Sequence, residues 1–131
     1  GRPDLEVGRL MQYAVPGLTD AAANGYDAPF PDVRSKAGVR RFPELVPRTP
    51  DMEGADVSKA SLEFLGTRFQ GQVFMAVGAQ DPVLGPPVMH ALRRAIPSCP
   101  EPMMLEEAGH FVQEDGERVA VAALESFGDV A

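Results

Sequence analysis

Residues 72–110 read QVFMAVGAQDPVLGPPVMHALRRAIPSCPEPMMLEEAGH. The run Val73–Val77 is apolar throughout and stops at Gly78, which predicts a parallel strand covered on both faces. Across Pro86–Ile96 apolar residues recur at helical spacing, and the two prolines at its start suit the first turn of a helix. Met103–Leu105 is a second short apolar run. The stretch therefore predicts a strand, a helix and a second strand.

Two polar residues follow the two predicted strands. Asp81 lies just past the first strand, and His110 follows the turn at Ala108-Gly109 after the second. A right-handed crossover makes such strands parallel, roughly 4.8 Å apart, with both carboxyl ends at the same end of the sheet. We therefore expect the Asp81 carboxylate to reach the His110 imidazole, where catalytic sites of open α/β sheets lie. Taken singly, an aspartate before a proline is most often a turn residue and a histidine after a glycine most often a loop residue, so the prediction rests on the two together.

Composition and charge exclude several classes of function. The chain has 12 Lys and Arg against 19 Asp and Glu, a net charge of −7, so it offers no basic surface for nucleic acid. No apolar run is long enough to span a bilayer. Scattered charges of both signs are typical of a solvated globular surface. We expect a protein that binds neither nucleic acid nor a membrane.

The cysteine and histidine content argues against a zinc or thiolate metal site. Cys99 is the only cysteine, which excludes an internal disulfide and a thiolate metal site. His90 and His110 are not at metal-ligand spacing, and no Gly-rich phosphate loop is present. Cys99 follows the helix, away from Asp81 and His110, and is predicted to be structural. We expect a cytoplasmic protein, whose N-terminal targeting region, if it has one, is not visible in this sequence.

The rest of the chain is predicted to be largely helical. Amphipathic spacing and cap residues predict helices at Asp4–Val15, Thr19–Ala23 and Met52–Arg68 and after Glu114. Five prolines within Tyr26–Pro50 argue against long regular elements there, and we expect at most one helical turn at Val33–Val39. Only two strands are patterned for a parallel sheet, whereas a typical sheet has about five or six. The chain also begins Gly1-Arg2-Pro3, and we expect a C-terminal fragment.

Six segments carry a more specific signal. They are APFPD at 28–32, AGVRRFP at 37–43, FMAVG at 74–78, DPVLGP at 81–86, CPEP at 99–102 and AGHFVQE at 108–114. Together they resemble the haloalkane dehalogenases of the α/β-hydrolase fold, and the match covers nearly the whole chain. Gly-His-Phe is common to many α/β-hydrolases, whereas the Phe-Pro segments and the DPVLGP run are more specific.

The resemblance implies an α/β fold, as a C-terminal fragment of the α/β-hydrolase fold. Residues 1–49 would be the C-terminal part of the helical cap domain and its return segment. Residues 50–131 would be the C-terminal part of the core, with its last parallel strands and helices. The resemblance also places substrate-binding residues on the cap side and beside Asp81, at Phe42, Pro43, Val46, Val83 and Leu84.

The reaction implied is hydrolysis of a carbon–halogen bond through an alkyl-aspartyl ester. His110 matches the general base of this family, and Asp81 matches its partner acid. The nucleophilic aspartate would lie upstream, as would the halide donors, because the chain has no tryptophan. We therefore expect the chain alone to be inactive. The resemblance implies that neither a metal nor an organic cofactor is needed. The implied partners are a halogenated alkane, water and halide, and the full-length form is expected to be monomeric.

Two alternatives remain open on the sequence. Another capped α/β-hydrolase, such as an epoxide hydrolase or an esterase, would share the fold and the histidine. The upstream nucleophile distinguishes these, because an esterase needs serine there and the others need aspartate. The second alternative is a non-catalytic fragment or interaction module that associates through exposed strand edges.

Overall fold

The computed structural model describes residues 4–128 of the chain. These residues form two units, divided between residues 60 and 61. In chain order the elements are α1 (Val7–Ala14), α2 (Asp20–Asp27), α3 (Ala37–Leu45), α4 (Ala55–Thr67), β1 (Ala76–Gly78), α5 (Pro86–Ala95), β2 (Met103–Leu105), a 3-10 turn (Val112–Asp115) and α6 (Gly116–Phe127). Within residues 4–128, no helix is long and apolar enough to cross a membrane.

In the first unit, α1 and α2 form a closely packed hairpin. The Thr19 side chain caps α2 by accepting a hydrogen bond from the Ala22 N–H at 3.2 Å. The Gly8 N–H of α1 donates to the Asp27 carboxylate at 3.0 Å. A side chain at Gly8 would collide with the carbonyl of Ala23, so the two helices approach closely there. The sequence predicted a helix over Thr19–Ala23, and this end is wrong, because these contacts stabilise one further turn to Asp27.

The proline-containing segment of the first unit is more helical than predicted. α3 covers nine residues, Ala37–Leu45, rather than a single turn at Val33–Val39. Asp32 accepts hydrogen bonds from the N–H groups of Arg34 and Ser35, at 2.9 and 2.8 Å, and so orders the turn before α3. Pro43 lies in the last turn, where its missing N–H removes a single helical hydrogen bond. A proline this close to the end of a short helix is therefore tolerated.

In the second unit, β1 and β2 are parallel neighbours joined by α5. Ala76 pairs with Met103 and Gly78 with Leu105, which confirms the predicted strand–helix–strand unit. β1 is shorter than the apolar run that predicted it, because β2 offers only three residues for pairing. The buried core consists of Met75 just before β1, Val77 in β1, and Ile96 and Cys99 in the segment that follows α5. Met89 and Leu92 of α5 are partly buried and pack against this cluster. Both strands therefore end at the same end of the unit.

Candidate active site

Asp81 occupies a turn just beyond the carboxyl end of β1. Its Oδ1 atom accepts hydrogen bonds from the N–H of Val83 at 2.7 Å and of Leu84 at 3.0 Å. This arrangement is an Asx-type turn, in which the side chain replaces a backbone acceptor. Only 7% of the Asp81 side chain is exposed. The turn therefore fixes the carboxylate in a partly desolvated position.

His110 follows β2 and meets this carboxylate. Its Nδ1 atom lies 3.0 Å from Asp81 Oδ2 and 3.1 Å from Oδ1. The ring also packs edge-on against Phe111, with the centroids 5.2 Å apart. The His110 side chain is 38% exposed, so the imidazole is more open to solvent than the acid that holds it. With Nδ1–H donating to the carboxylate, Nε2 carries the lone pair that can accept a proton.

The surroundings of Asp81 favour its ionised form. Burial alone would raise the pKa of this carboxyl group, whereas the hydrogen bonds from the Val83 and Leu84 N–H groups lower it. The hydrogen bond and the charge of His110 act in the same direction. The net result is a pKa below the usual value for aspartate. Asp81 is therefore charged at neutral pH and can stabilise a protonated imidazole beside it.

A small pocket of about 130 Å³ opens beside the pair. Asp81 and His110 contribute to its lining, together with the apolar residues Ala76, Val77, Leu84, Met89 and Val112, and Gly78. Val83 is not among these lining residues. Its N–H donates to Asp81, and its side chain is exposed. Among residues 4–128 no group of His, Cys, Asp and Glu side chains is arranged to hold a metal ion. The chemistry that this end of the unit offers is that of an acid–imidazole pair next to apolar surface.

Several known proteins resemble this chain in sequence or in structure. No protein-family model matches it. Haloalkane dehalogenase 1 of Mycobacterium tuberculosis is 36% identical over 114 residues, which are 86% of this chain and 38% of that protein. A solved tetrameric haloalkane dehalogenase from Paraglaciecola agarilytica superposes with a TM-score of 0.89 at 41% identity. That superposition covers 97% of this chain and 43% of the other. The chain is a homologue of the haloalkane dehalogenases.

The chain spans about two-fifths of the length of these relatives and matches their C-terminal portion. The structural match confirms the predicted fold class, part of an α/β-hydrolase fold. A more distant relative is a different enzyme, the cis-3-alkyl-4-alkyloxetan-2-one decarboxylase of Xanthomonas campestris, which is 28% identical over 123 residues. That alignment covers 94% of this chain and 38% of the decarboxylase.

The predicted site residues of the homologue lie in both units. The structure brings Asp81 and His110 together as the crossover argument expected, while their catalytic role stays a prediction. Phe42 and Pro43 lie in α3 and Val46 directly follows it, and all three side chains are exposed. Their contact with a substrate also stays a prediction.

Two residues that sequence reasoning did not single out border the Asp81–His110 pair. Gly78 ends β1, and a Cβ atom there would lie 2.8 Å from the Ala108 carbonyl oxygen and closer still to that of Gly109. Gln80 donates a side-chain hydrogen bond across to the segment that precedes His110. A glycine that ends an apolar strand is a recognised sign of close backbone approach and could have flagged Gly78. No comparable signal marks Gln80.

Cys99 is buried, as predicted. Only 7% of the residue is exposed, and it packs in the core cluster with Ile96. Burial raises the pKa of the Cys99 thiol, with Arg93 acting in the opposite direction. The thiol is therefore protonated at neutral pH and poorly suited to nucleophilic chemistry.

Proposed function

We propose that this chain supplies the general base and its partner acid to a haloalkane dehalogenase, which converts an alkyl halide and water into an alcohol and a halide. The observation that carries the proposal is the Asp81–His110 pair, 3.0 Å apart at the carboxyl end of the strand pair. It occurs in a chain that is homologous to haloalkane dehalogenases over most of its length. Other pairs of this kind serve other hydrolases, so the homology narrows the reaction.

The proposed reaction has two steps. In the first, an aspartate in sequence outside this chain attacks the halogen-bearing carbon, forming an alkyl ester and releasing halide. In the second, water attacks the ester carbonyl while His110 Nε2 takes its proton. The ester C–O bond then breaks, and the alcohol leaves with that proton. Asp81 holds the Nδ1–H and balances the charge of the imidazolium, as the acid does in Ser-His-Asp triads.

The proposal extends to the substrate wall and to the division of the chain. Residues 1–49 are assigned to the cap and 50–131 to the core. Substrate contact is assigned to the apolar residues Phe42, Pro43, Val46, Val83 and Leu84. Apolar walls suit an alkyl halide and strengthen charge interactions by excluding water.

The proposed enzyme is cytoplasmic and monomeric, although the Paraglaciecola neighbour is described as tetrameric. Sedimentation of an enzyme that contains this chain would decide between one copy and four.

A chimeric enzyme tests the reaction. The chimera is the Mycobacterium tuberculosis relative in which this chain replaces the part of the relative that aligns with it. The relative supplies the remainder of the enzyme. The chimera should turn over an alkyl halide. Replacing His110 by Phe should lower steady halide release at least about 100-fold, the lower end for loss of a general base. A rapid release of one halide per enzyme should remain, because the first step does not use His110.

His90→Phe is the matched control, because His90 lies in α5 and has no assigned role. It should keep turnover near that of the unmodified chimera. Steady turnover by the His110→Phe chimera would remove His110 from its assigned role. A folded, unmodified chimera that releases no halide would defeat the proposed function. The 131-residue chain alone should release none.

A second candidate is a different reaction on the same fold. The resemblance to the Xanthomonas decarboxylase favours it, because that relative aligns with 94% of this chain. Grafting this chain onto the remainder of the decarboxylase tests it. The second candidate would be favoured if this graft decarboxylated an oxetanone at a rate comparable to that of the decarboxylase. The dehalogenase chimera should then show no activity.

A further inference from the structure

Three hydrogen bonds join the segment after β1 to the last residue of β2 and the segment that follows it. The N–H of Ala79 donates to the Leu105 carbonyl at 3.0 Å, and the N–H of Gln80 donates to the Ala108 carbonyl at 3.0 Å. The third bond comes from a side chain, since Gln80 Nε2 donates to the Glu106 carbonyl at 2.9 Å. These bonds extend the β1–β2 pairing beyond the strands, toward Asp81 on one side and His110 on the other.

The acceptors belong to a single tight turn. The N–H of Ala108 donates to the Leu105 carbonyl at 3.1 Å and closes the turn over residues 105–108. Gln80 binds this turn twice, through its N–H at Ala108 and through its side chain at Glu106. The turn leads directly through Gly109 to His110. Its orientation therefore decides where the imidazole lies.

Gln80 also precedes the other member of the pair. Asp81 is the next residue, and its carboxylate is fixed by the N–H groups of Val83 and Leu84. The Gln80 side chain thus links the turn that bears His110 to the turn that bears Asp81. Of the three bonds, it is the one that a substitution can remove without changing the backbone.

We propose that Gln80 is a positioning residue that holds the His110 turn in register with Asp81, so that Nδ1–H stays on the carboxylate. This inference rests on the proposed function for what the pair catalyses, whereas the geometry stands apart from it. If the turn moves away, the Nδ1–O distance grows beyond 3.0 Å and the hydrogen bond weakens. The imidazole is then free to take the other tautomer, in which Nε2 carries the proton and cannot act as a base.

The tautomer of His110 is the direct readout. Nitrogen-15 NMR shifts of the 131-residue chain, at a pH where the imidazole is neutral, distinguish Nδ1–H from Nε2–H. Gln80→Met keeps the length of the side chain and removes the donor. It should lower the ratio of the Nδ1–H to the Nε2–H form about twofold to tenfold, the factor for losing one hydrogen bond. The matched control is Gln72→Met, at an exposed glutamine in the same unit.

A ratio unchanged in Gln80→Met would overturn the proposal, as would an equal drop in Gln72→Met. If Gln80→Met does not fold, Gln80→Lys gives the test, because its ammonium can still donate to the Glu106 carbonyl. The Lys variant should keep the Nδ1–H form dominant. Loss of that form in a folded Lys variant would contradict the role of the donor.

The chimera gives the catalytic readout. Gln80→Met should slow steady halide release while leaving the rapid first release unchanged, because His110 acts in the second step alone. An equal slowing of both phases would contradict positioning of His110. An inactive unmodified chimera would count against the proposed function, whereas the tautomer ratio would still test Gln80.

Discussion

The two ends of the β1–β2 pair use polar side chains in different ways. At the carboxyl end, only 7% of the Asp81 side chain is exposed. Its carboxylate accepts hydrogen bonds from two backbone N–H groups and from His110. At the other end, Arg93 forms an ion pair with Glu101 at 2.6 Å, and the Glu101 side chain is 75% exposed. Arg93 Nε also donates to the Pro100 carbonyl at 2.8 Å.

This difference separates a site from a scaffold within one strand–helix–strand unit. A buried carboxylate is costly unless donors surround it, and the turns after β1 and β2 supply those donors to Asp81. The result is an oriented imidazole whose Nε2 is left for chemistry. The ion pair between the half-buried Arg93 and the exposed Glu101 instead joins the end of α5 to the segment before β2, where water screens the interaction. Substitutions at the carboxyl end should therefore lower the unfolding free energy more than substitutions at the other end.

The largest effect is expected at Gly78. In Gly78→Ala the new methyl group would meet the carbonyl oxygens of Ala108 and Gly109, which are backbone atoms and cannot rotate away. Unfolding free energy should fall by about 3 kcal/mol, the upper end for overpacking. The His110 Nδ1–H signal should also be lost, because the His110 turn is pushed away from Asp81. Urea unfolding and nitrogen-15 NMR measure the two effects.

Gly116→Ala is the matched control for this substitution. Gly116 begins α6 with helical dihedral angles, and nothing lies within 4 Å of its added Cβ. This change should raise the unfolding free energy by about 0.4 to 1 kcal/mol, because alanine restricts the unfolded chain. If Gly78→Ala were as stable as the wild type, the close approach of the two turns would not matter to the fold.

The contrast at Gly78 shows what local sequence can and cannot predict. The strand–helix–strand unit and the meeting of Asp81 with His110 followed from apolar periodicity and the handedness of crossovers. A glycine at the end of an apolar strand suggests close backbone approach, but the approaching carbonyl lies 31 residues further along, and no local pattern identifies that partner. Gln80 was missed for the same reason, because its partner Glu106 is 26 residues away.

A smaller, pH-dependent effect is expected at Asp81. Its pKa is lower in the folded chain than the value of about 3.9 in unfolded peptides, so ionisation stabilises the fold. That stabilisation is complete above about pH 5 and is lost as the pH falls through 3.9 toward the folded pKa. Asp81→Asn should lower the unfolding free energy by about 1.5 kcal/mol at pH 7, the value for a hydrogen bond to a charged group. Urea unfolding at pH 7, 5 and 3 measures the difference from wild type, which should shrink at pH 3.

The control for Asp81→Asn is Glu107→Gln, which also removes one negative charge near His110 but at an exposed position. It should change the unfolding free energy by less than about 0.5 kcal/mol, as surface substitutions usually do. A gap between wild type and Asp81→Asn that widens on acidification would contradict the sign of the Asp81 pKa shift.

The first unit shows the other limit of sequence reasoning. Cap residues such as Thr19 correctly placed the start of α2, because a cap acts within three residues. The end of α2 was predicted too early, because Gly25 has low helix propensity. The hydrogen bond that extends the helix joins Gly8 to Asp27, two residues 19 positions apart in the sequence. The substrate-contact residues of α3, Phe42 and Pro43, were assigned by family resemblance alone, and their side chains are exposed in this chain.

The smallest effect is expected at the scaffold end of the strand pair. Arg93→Gln removes the ion pair with Glu101 and the hydrogen bond to the Pro100 carbonyl, and should lower the unfolding free energy by about 1 kcal/mol. Arg94→Gln, at the exposed neighbour in α5, controls for the loss of one positive charge. In 1 M salt, where the screening length falls to about 3 Å, the difference between the two variants should shrink. The His110 tautomer ratio should be the same in both variants and in wild type, because no bond of Arg93 reaches the turns after β1 and β2 in residues 4–128. A ratio that followed Arg93 would mean that the two ends are coupled through α5, and the separation of site from scaffold would fail.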